Sequence, residues 1–585
     1  MMHKRKWVAL LALTVVVGLT LMGAQKVYFQ PESSWGIPPL LQGNPFAPGH
    51  IDSRLIYEPL FYYVPGPGNT IPSGVFAGKD RVILRLAASY KAEPTKFTVK
   101  LHKDARWEDG TPFTSKDVWC TYMIRYLEHD VIWTVLDRVE ISDDYTVIFH
   151  WKAPFPYGKA MIAISSLINY PYHIYGKWAE KVDPTVPVEE EPNKSLVASL
   201  KEFKPPRPIT TGPFIFKTAT TSELLLVKNP NYWAADTIEN WETWFDGVLC
   251  RPHMADYNAR LNNIMAGEVD LSFITVPKET VDSILTVPGM RFVAPPTASF
   301  FDLDFNYDKY PCNILEFRKA LAYAIDRRAV QEVAAYYGFP IDKYVTGLPK
   351  TFEEEWLSPE FLAKLETYEY NPQKAEKILR GIGWSRGPDG NWRDAAGKQI
   401  KLAITTWGPY QDWVLAADNI SHQLTKFGFP TELRPMPPEL FYDAWDRGDF
   451  HLRVWYVGFW STLSPWSGYQ STFGWDLTRP ESLSWKGRRG LNPKDAVWAA
   501  FLVDRLGRAW KPEEQKLIVE KLAELHNKNV PLIPFVQKRE YMFQLDGKRV
   551  TGWPDPDDPV WDGVTAQGPQ CYTTLLVKGI LKPVR

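Results

Sequence analysis

Little in this sequence is built for chemistry. Its ten histidines form no HExxH pair, and there is neither a GxSxG elbow nor a GxxxxGK[ST] loop, so zinc hydrolases, esterases and P-loop enzymes lose their usual signatures. Four cysteines, Cys120, Cys250, Cys312 and Cys571, lie far apart without the CxxC spacing of a zinc knuckle or redox pair. They permit three disulfide pairings, and the sequence does not choose among these or between bridges and packed free thiols. A charge imbalance is missing too: 67 Lys+Arg face 68 Asp+Glu, which removes the electrostatic footprint of a nucleic-acid binder. Beyond the first residues no stretch is long and apolar enough to span a bilayer.

What the chain does have begins with a targeting pattern. His3-Lys4-Arg5-Lys6 precedes an apolar run from Trp7 to Leu21, the layout of a signal peptide over 1–24, with retention as an uncleaved anchor as the alternative. No cysteine follows that run, so a lipid anchor is disfavoured and a periplasmic or extracellular protein is expected. At 585 residues, with about 150 per domain, several packed units are expected, and 49 Pro with 37 Gly imply long loops. Aromatics are abundant: 25 Trp, and in VWYVGFWSTLSPWSGYQ (454–470) six rings without one charged side chain. Such density makes either an aromatic core or a surface on which a flat ligand lies.

The periodicities alternate between strand and helix. KFTVKL predicts a half-buried strand, Thr114 to Asp117 has capping-box spacing before a helix bearing Val118, Tyr122, Met123, Tyr126 and Leu127 on one face, and TVIFHW predicts another strand. The charged, proline-punctuated stretch 184–208 reads as a surface excursion. One helical segment is expected over EFRKALAYAIDRRAVQEVAAYYG up to Gly338, and another from Asn371-Pro372 to Gly381. Asp389-Gly390 predicts a turn, Ile400 to Thr406 a strand, Trp413 to Phe427 a helix, and HLRVWYVGFW a strand whose exit loop is the aromatic stretch. The fold class is therefore α/β, whose ligand clefts lie beyond the carboxyl ends of strands and between lobes. The acidic tract WPDPDDPVWDG (553–563) lacks the Gly and terminal Glu of an EF-hand and reads as a solvated loop.

Several ordered blocks resemble one family. RWEDGTPFTSKDVWCTYMIRYL (106–127) resembles the signature W-x-DG-x-P-[FL]-T-[AS]-x-DV of the family 5 extracellular solute-binding proteins of ABC importers, matching at Trp107, Asp109, Gly110, Pro112, Phe113, Thr114, Asp117 and Val118. TGPFIFK, NPNYW, EFRKALAYAIDR and NPQKAEKILRGIGW follow in the family's order, so the likeness runs from about residue 35 almost to the end. It implies a bilobal binding-protein fold that closes about a hinge: lobe I from 25–57, 209–297 and 530–585, an extra domain over 58–208, and lobe II over 298–529. It implies no catalysis and no cofactor or metal, a membrane permease as partner, and a monomer.

Within the family, peptide binders place an acid after a strand to pair with the peptide amino terminus. Counting from Gly458 puts Thr462, beside Ser461, at that position, and an unpaired ammonium in an uncharged aromatic pocket costs several kcal/mol. SSWG and GNPFAP are similar to the start of oligosaccharide-binding members, which implies cleft roles for Trp35 and Asn44. Sugars present a flat C–H face and a hydroxyl rim, so the expected ligand is a neutral oligosaccharide, a β-linked gluco- or manno-oligosaccharide, lying on Trp407, Trp455, Tyr456, Trp460 and Trp466 with Ser461 and Thr462 at its edge. An oligopeptide ligand is the alternative within the family. A secreted glycoside hydrolase is the alternative of another class, recognisable by two carboxyl groups about 5 to 9.5 Å apart across the cleft.

Overall fold

Phe97, Val99 and Leu101 point inward along the strand Lys96–Leu101, as their alternation predicts. This strand pairs antiparallel with Ala87–Glu93 and Thr146–Trp151, and Leu136–Asp143 completes a four-stranded sheet. The helix Ser115–Leu127 buries Val118, Tyr122, Met123 and Leu127 against it, the Tyr122 and Phe149 rings meeting edge to face at 4.9 Å. The computed structural model describes residues 26–32, 43–47, 54–63, 82–155, 157–220, 223–250, 257–459, 464–474, 490–509, 511–558, 560–561 and 572–585.

The spacing of WEDGTPFTSKD has a physical reason. Trp107 is buried, and its Nε1 donates to Asp117 Oδ1 at 3.1 Å. The same carboxylate accepts from Thr114 N at 2.7 Å, closing the helix start, and from Tyr172 N at 2.8 Å, docking the helix Tyr172–Ala179. One side chain thus ties a hairpin to two helices. Asp117→Ala orphans one buried and two part-buried N–H donors and is expected to cost about 3 kcal/mol. Thermal denaturation should show the lower midpoint, with Asp117→Asn recovering part of it because its carboxamide oxygen still accepts.

A second four-stranded sheet runs in the order Tyr28–Phe29, Gly247–Cys250, Leu224–Lys228, Phe214–Ala219. A three-stranded sheet joins Leu271–Phe273, Met542–Leu545 and Met290–Val293. The largest, six-stranded, runs Phe339–Pro340, Leu532–Arg539, Pro296–Phe305, Leu452–Gly458, Leu402–Trp407, Thr431–Met436. Two consecutive strand pairs step between the last two sheets: Met290–Val293 into Pro296–Phe305, and Leu532–Arg539 into Met542–Leu545. The crossings are fastened by a Glu540 N–H donating to the Pro295 carbonyl at 2.9 Å.

The buried side chains respect this division. One large core draws on residues between Val27 and Val293 and between Met542 and Leu581, whereas a second and third draw on residues between Ala298 and Val536. A smaller fourth core lies under the three-stranded sheet, with Ile264, Val281 and Phe543.

Local expectations fail where side chains compete with the backbone or bury unexpectedly. The single helix expected before Gly338 is two, Leu315–Ala324 and Arg327–Ala334, because the Asp326 side chain accepts from Arg328 N and Ala329 N and caps a new start. The excursion over 184–208 carries a helix, Asn193–Glu202, whose Leu196 and Leu200 enter the first core. The aromatic exit loop becomes helical at Pro465–Phe473, with Pro465 at a first-turn position that needs no N–H. The helix Pro372–Gly381 forms as read, Asn371 accepting from Lys374 N at 2.9 Å, and Gly390 turns the chain at φ +76°.

Candidate functional site

Leu402–Trp407 runs parallel to both Thr431–Met436 and Leu452–Gly458, so three carboxyl ends gather at one edge of the six-stranded sheet. Such an edge is where α/β folds place ligands. The helices Gln411–Lys426 and Pro438–Arg447 return from it and add rings of their own. Trp407, at the end of its strand, meets Tyr410 at 6.1 Å with planes 20° apart, and packs edge to face on Tyr442 at 5.2 Å. Trp455 stacks on Phe441 at 5.3 Å and 19°, and meets Trp413 edge to face at 5.2 Å. Tyr456 lies 5.6 Å from Trp413 and 5.1 Å from Trp455.

These rings form two layers. Trp413 and Phe441 are buried and belong to the support, while Trp407, Trp455 and Tyr456 are half-buried. Tyr410 is 51% exposed and Tyr442 47%, an unusual exposure for adjoining aromatic residues. Burial pushes the Tyr456 phenol above its usual range, with Tyr442 and Tyr410 adding to the effect, so it remains a neutral hydrogen-bonding group at ordinary pH.

Beneath the platform sits a buried charge. Arg453 and Asp304, both 2% exposed, form an ion pair between adjacent strands, where the two residues lie opposite one another in the register. The guanidinium also lies 3.9 Å from the Trp445 ring centroid and 4.9 Å from that of Trp455. A fixed cation under an indole holds the ring in place and leaves its other side to packing or ligand.

At the platform's side, Asp412 in the first turn of Gln411–Lys426 accepts from Lys538 Nζ at 3.1 Å. Burial pulls the Lys538 amine down, but Asp412, with Glu540 and Tyr410 adding to it, outweighs burial and holds the ammonium above its usual range. Glu540 is pushed up by burial, against the pull of Lys538. The Asp412 carboxylate next to these rings is therefore already engaged by a lysine. Stacking, with polar contacts at the edge, is what this arrangement offers a ligand.

The expected site residues divide. Trp407, Trp455 and Tyr456 come together at the strand ends. Trp35, Trp460, Ser461 and Thr462 lie outside the described residues. Asn44 is buried: its Nδ2 donates to the Leu200 and Phe203 carbonyls at 2.7 and 2.9 Å, and its Oδ1 accepts from Phe46 N, so the side chain braces a loop with both amide hydrogens engaged. Among the described residues Trp466 meets a different group from these rings: Lys159 Nζ lies over its ring at 4.3 Å, and its edge packs against Gly507. Sequence reasoning missed Tyr410, Phe441, Tyr442, Trp445, Asp412 and Lys538. WGPYQDW and LFYDAW carry a legible signal, since both follow parallel strands whose ends share the edge with Trp455. Cys120, Cys250 and Cys312 are buried and unbridged, and burial pushes the latter two thiols to about 12, which makes them packing groups, while Cys571 lies outside the described residues.

Comparison with known proteins matches this architecture. The family model "Bacterial extracellular solute-binding proteins, family 5 Middle" matches residues 81–476. A putative ABC transporter peptide-binding protein of Brucella abortus is 24% identical over 316 residues, covering 52% of this chain and 53% of that one, so the chain spans about half the length of such curated relatives in the match. The oligopeptide-binding protein AppA of Bacillus subtilis is 24% identical over 423 residues, 69% of this chain and 72% of AppA. Among solved structures, a periplasmic oligopeptide-binding protein of an oligopeptide ABC transporter from Thermotoga maritima superposes with a TM-score of 0.74 at 23% identity, over 96% of this chain and 99% of that one. Its mannohexaose-bound form gives 0.67 over the same shares. The bilobal α/β binding-protein fold, the signature around Trp107 and Asp117, and a family match over most of the sequence converge: this chain belongs to the family 5 bacterial extracellular solute-binding proteins.

Proposed function

We propose that this protein is the exported receptor of an ABC importer that captures a neutral oligosaccharide, a β-linked gluco- or manno-oligosaccharide, by lobe closure and presents it to a membrane permease. The observation that carries the reading is the two-layered ring platform of Trp407, Tyr410, Tyr442, Trp455 and Tyr456 at the strand ends. Flat, half-exposed rings with tyrosine hydroxyls suit a sugar's C–H face and hydroxyl rim. The nearby Asp412 is engaged by Lys538, which favours an uncharged ligand over an ammonium group. The mannohexaose bound by the Thermotoga maritima structure supports the same class. The reading includes Trp35, Trp460, Ser461 and Thr462 as further contacts, a monomer, and the division into lobe I, extra domain and lobe II at 58, 209, 298 and 530, of which the partition of the cores supports the boundary near 298, while Val530 to Val536 pack with the lobe II cores. No catalytic step and no cofactor enter it.

A second reading, an oligopeptide receptor, is favoured by the peptide-binding names of the Brucella and Bacillus relatives. Titration of the purified protein with mannohexaose, cellohexaose and a mixed oligopeptide pool, followed by intrinsic tryptophan fluorescence and calorimetry, separates the two. Micromolar or tighter binding to a hexaose is the expected result. Binding to the peptides with no response to either sugar would overturn it.

A further inference from the structure

The helix Tyr157–Ile164 buries Ala160, Met161 and Ile164 in the first core, yet Lys159 points to the other half of the molecule. Its side chain is only 6% exposed. Lys159 Nζ sits 4.3 Å from the centroid of Trp466 and 3.4 Å from the carbonyl oxygen of Gly507. Trp466 packs against the third core. Gly507 lies in the last turn of the helix Pro493–Arg508, whose Leu502, Val503 and Leu506 belong to that same core. The contact therefore joins two cores separated by the paired chain crossings near Pro295 and Glu540.

The receptor is shaped for a cation. The carbonyls of a helix's last turn lack intrahelical partners and carry the negative end of the helix dipole, and an indole face attracts an ammonium by its quadrupole. Gly507 is required by the geometry: a Cβ there would stand 2.8 Å from Trp466 Nε1, so any larger residue displaces the indole from the helix end. Among the described residues no carboxylate lies within ion-pair distance of Lys159, and burial pulls its amine down to about 7. A long, hydrated side chain gives up water here for one ring and one carbonyl, which is costly unless the two halves of the molecule gain from being held together.

We propose that Lys159 is an inter-lobe latch, a positioning residue seated between the Trp466 ring and the Gly507 carbonyl when the two halves are together and released to water when they part. The latch sets how much of the ligand-free protein is already closed, and thereby scales the apparent affinity for whatever ligand the closed form prefers. It rests on the solute-binding reading only for the use to which closure is put.

The test reads closure without any ligand. Solution X-ray scattering of the wild type, Lys159→Met, Trp466→Leu and the double variant should show a larger radius of gyration for both single variants. The double variant should be no more open than either, because both substitutions remove one contact. Circular dichroism accompanies each variant, and should Lys159→Met unfold, Trp466→Leu and a milder Trp466→Phe carry the comparison. Where a ligand is in hand, Lys159→Met should weaken its apparent affinity about tenfold through the lost closed population. A ligand-free scattering curve of Lys159→Met or Trp466→Leu that superposes on the wild type, or effects that add in the double variant, overturns the latch. Failure of the sugar assignment leaves the ligand-free curves unchanged, so the two proposals fail separately.

Discussion

Trp455→Ala should weaken ligand binding by about 30-fold or more, the largest effect expected from one substitution at the platform. The indole is held from several sides, by Phe441 stacked at 5.3 Å, by Trp413 and Trp445 edge-on, and by the Arg453 guanidinium at 4.9 Å. A ring so restrained loses little freedom when a ligand stacks on it, which is why preorganised aromatic anchors dominate binding energies, typically by about 2 kcal/mol or more on truncation. Calorimetry gives the change in affinity, and an affinity within about twofold of the wild type would remove Trp455 from the site. Because truncating a half-buried indole also disturbs its supports, Tyr410→Ala is the control. At 51% exposure its removal should leave the melting temperature unchanged while still weakening binding, by a smaller factor.

Asp304→Ala should be the most damaging change to stability. It takes the Asp304 carboxylate away from the Arg453 guanidinium in a setting where both side chains are only 2% exposed, and breaking a buried pair from one side costs about 3–5 kcal/mol. Denaturant titration should show the midpoint fall with the slope unchanged. Replacing both partners by apolar residues, as in Asp304→Leu with Arg453→Met, should restore much of the loss, because the penalty comes from the uncompensated charge and not from the absence of attraction. That double variant would also lack the cation beneath Trp445 and Trp455. It should therefore fold yet bind ligand more weakly than the wild type, which separates the stabilising from the positioning role of Arg453.

Much of the local structure was written in short stretches. Asn371 before Pro372 announces a helix start because its side chain can reach the Lys374 N–H without help from elsewhere in the chain. The alternation in KFTVKL selects its buried face because successive side chains on a strand point to opposite sides. The block around Trp107 and Asp117 fixed the family for a similar reason, since its partners Thr114 and Trp107 lie within ten residues of the carboxylate. The strand Leu452–Gly458 and its rings were equally legible.

The roles of individual residues were another matter. Asn44 sits in a stretch that resembles a ligand-contacting segment, yet its partners Leu200 and Phe203 come from a helix more than 150 residues away that looked like a charged excursion. Trp466 shares a run with Trp455 and Tyr456, but the turn into Pro465–Phe473 carries it to Lys159 and Gly507. The sequence by itself determined the α/β class, the family and the presence of surplus aromatic surface, because those follow from periodicity and from contacts between near neighbours. Only the tertiary structure decided which rings share a platform, that Asp412 is engaged by Lys538, and that a lysine on one core reaches another, because each depends on groups from different strands and helices that meet only in the folded chain and leave no local trace.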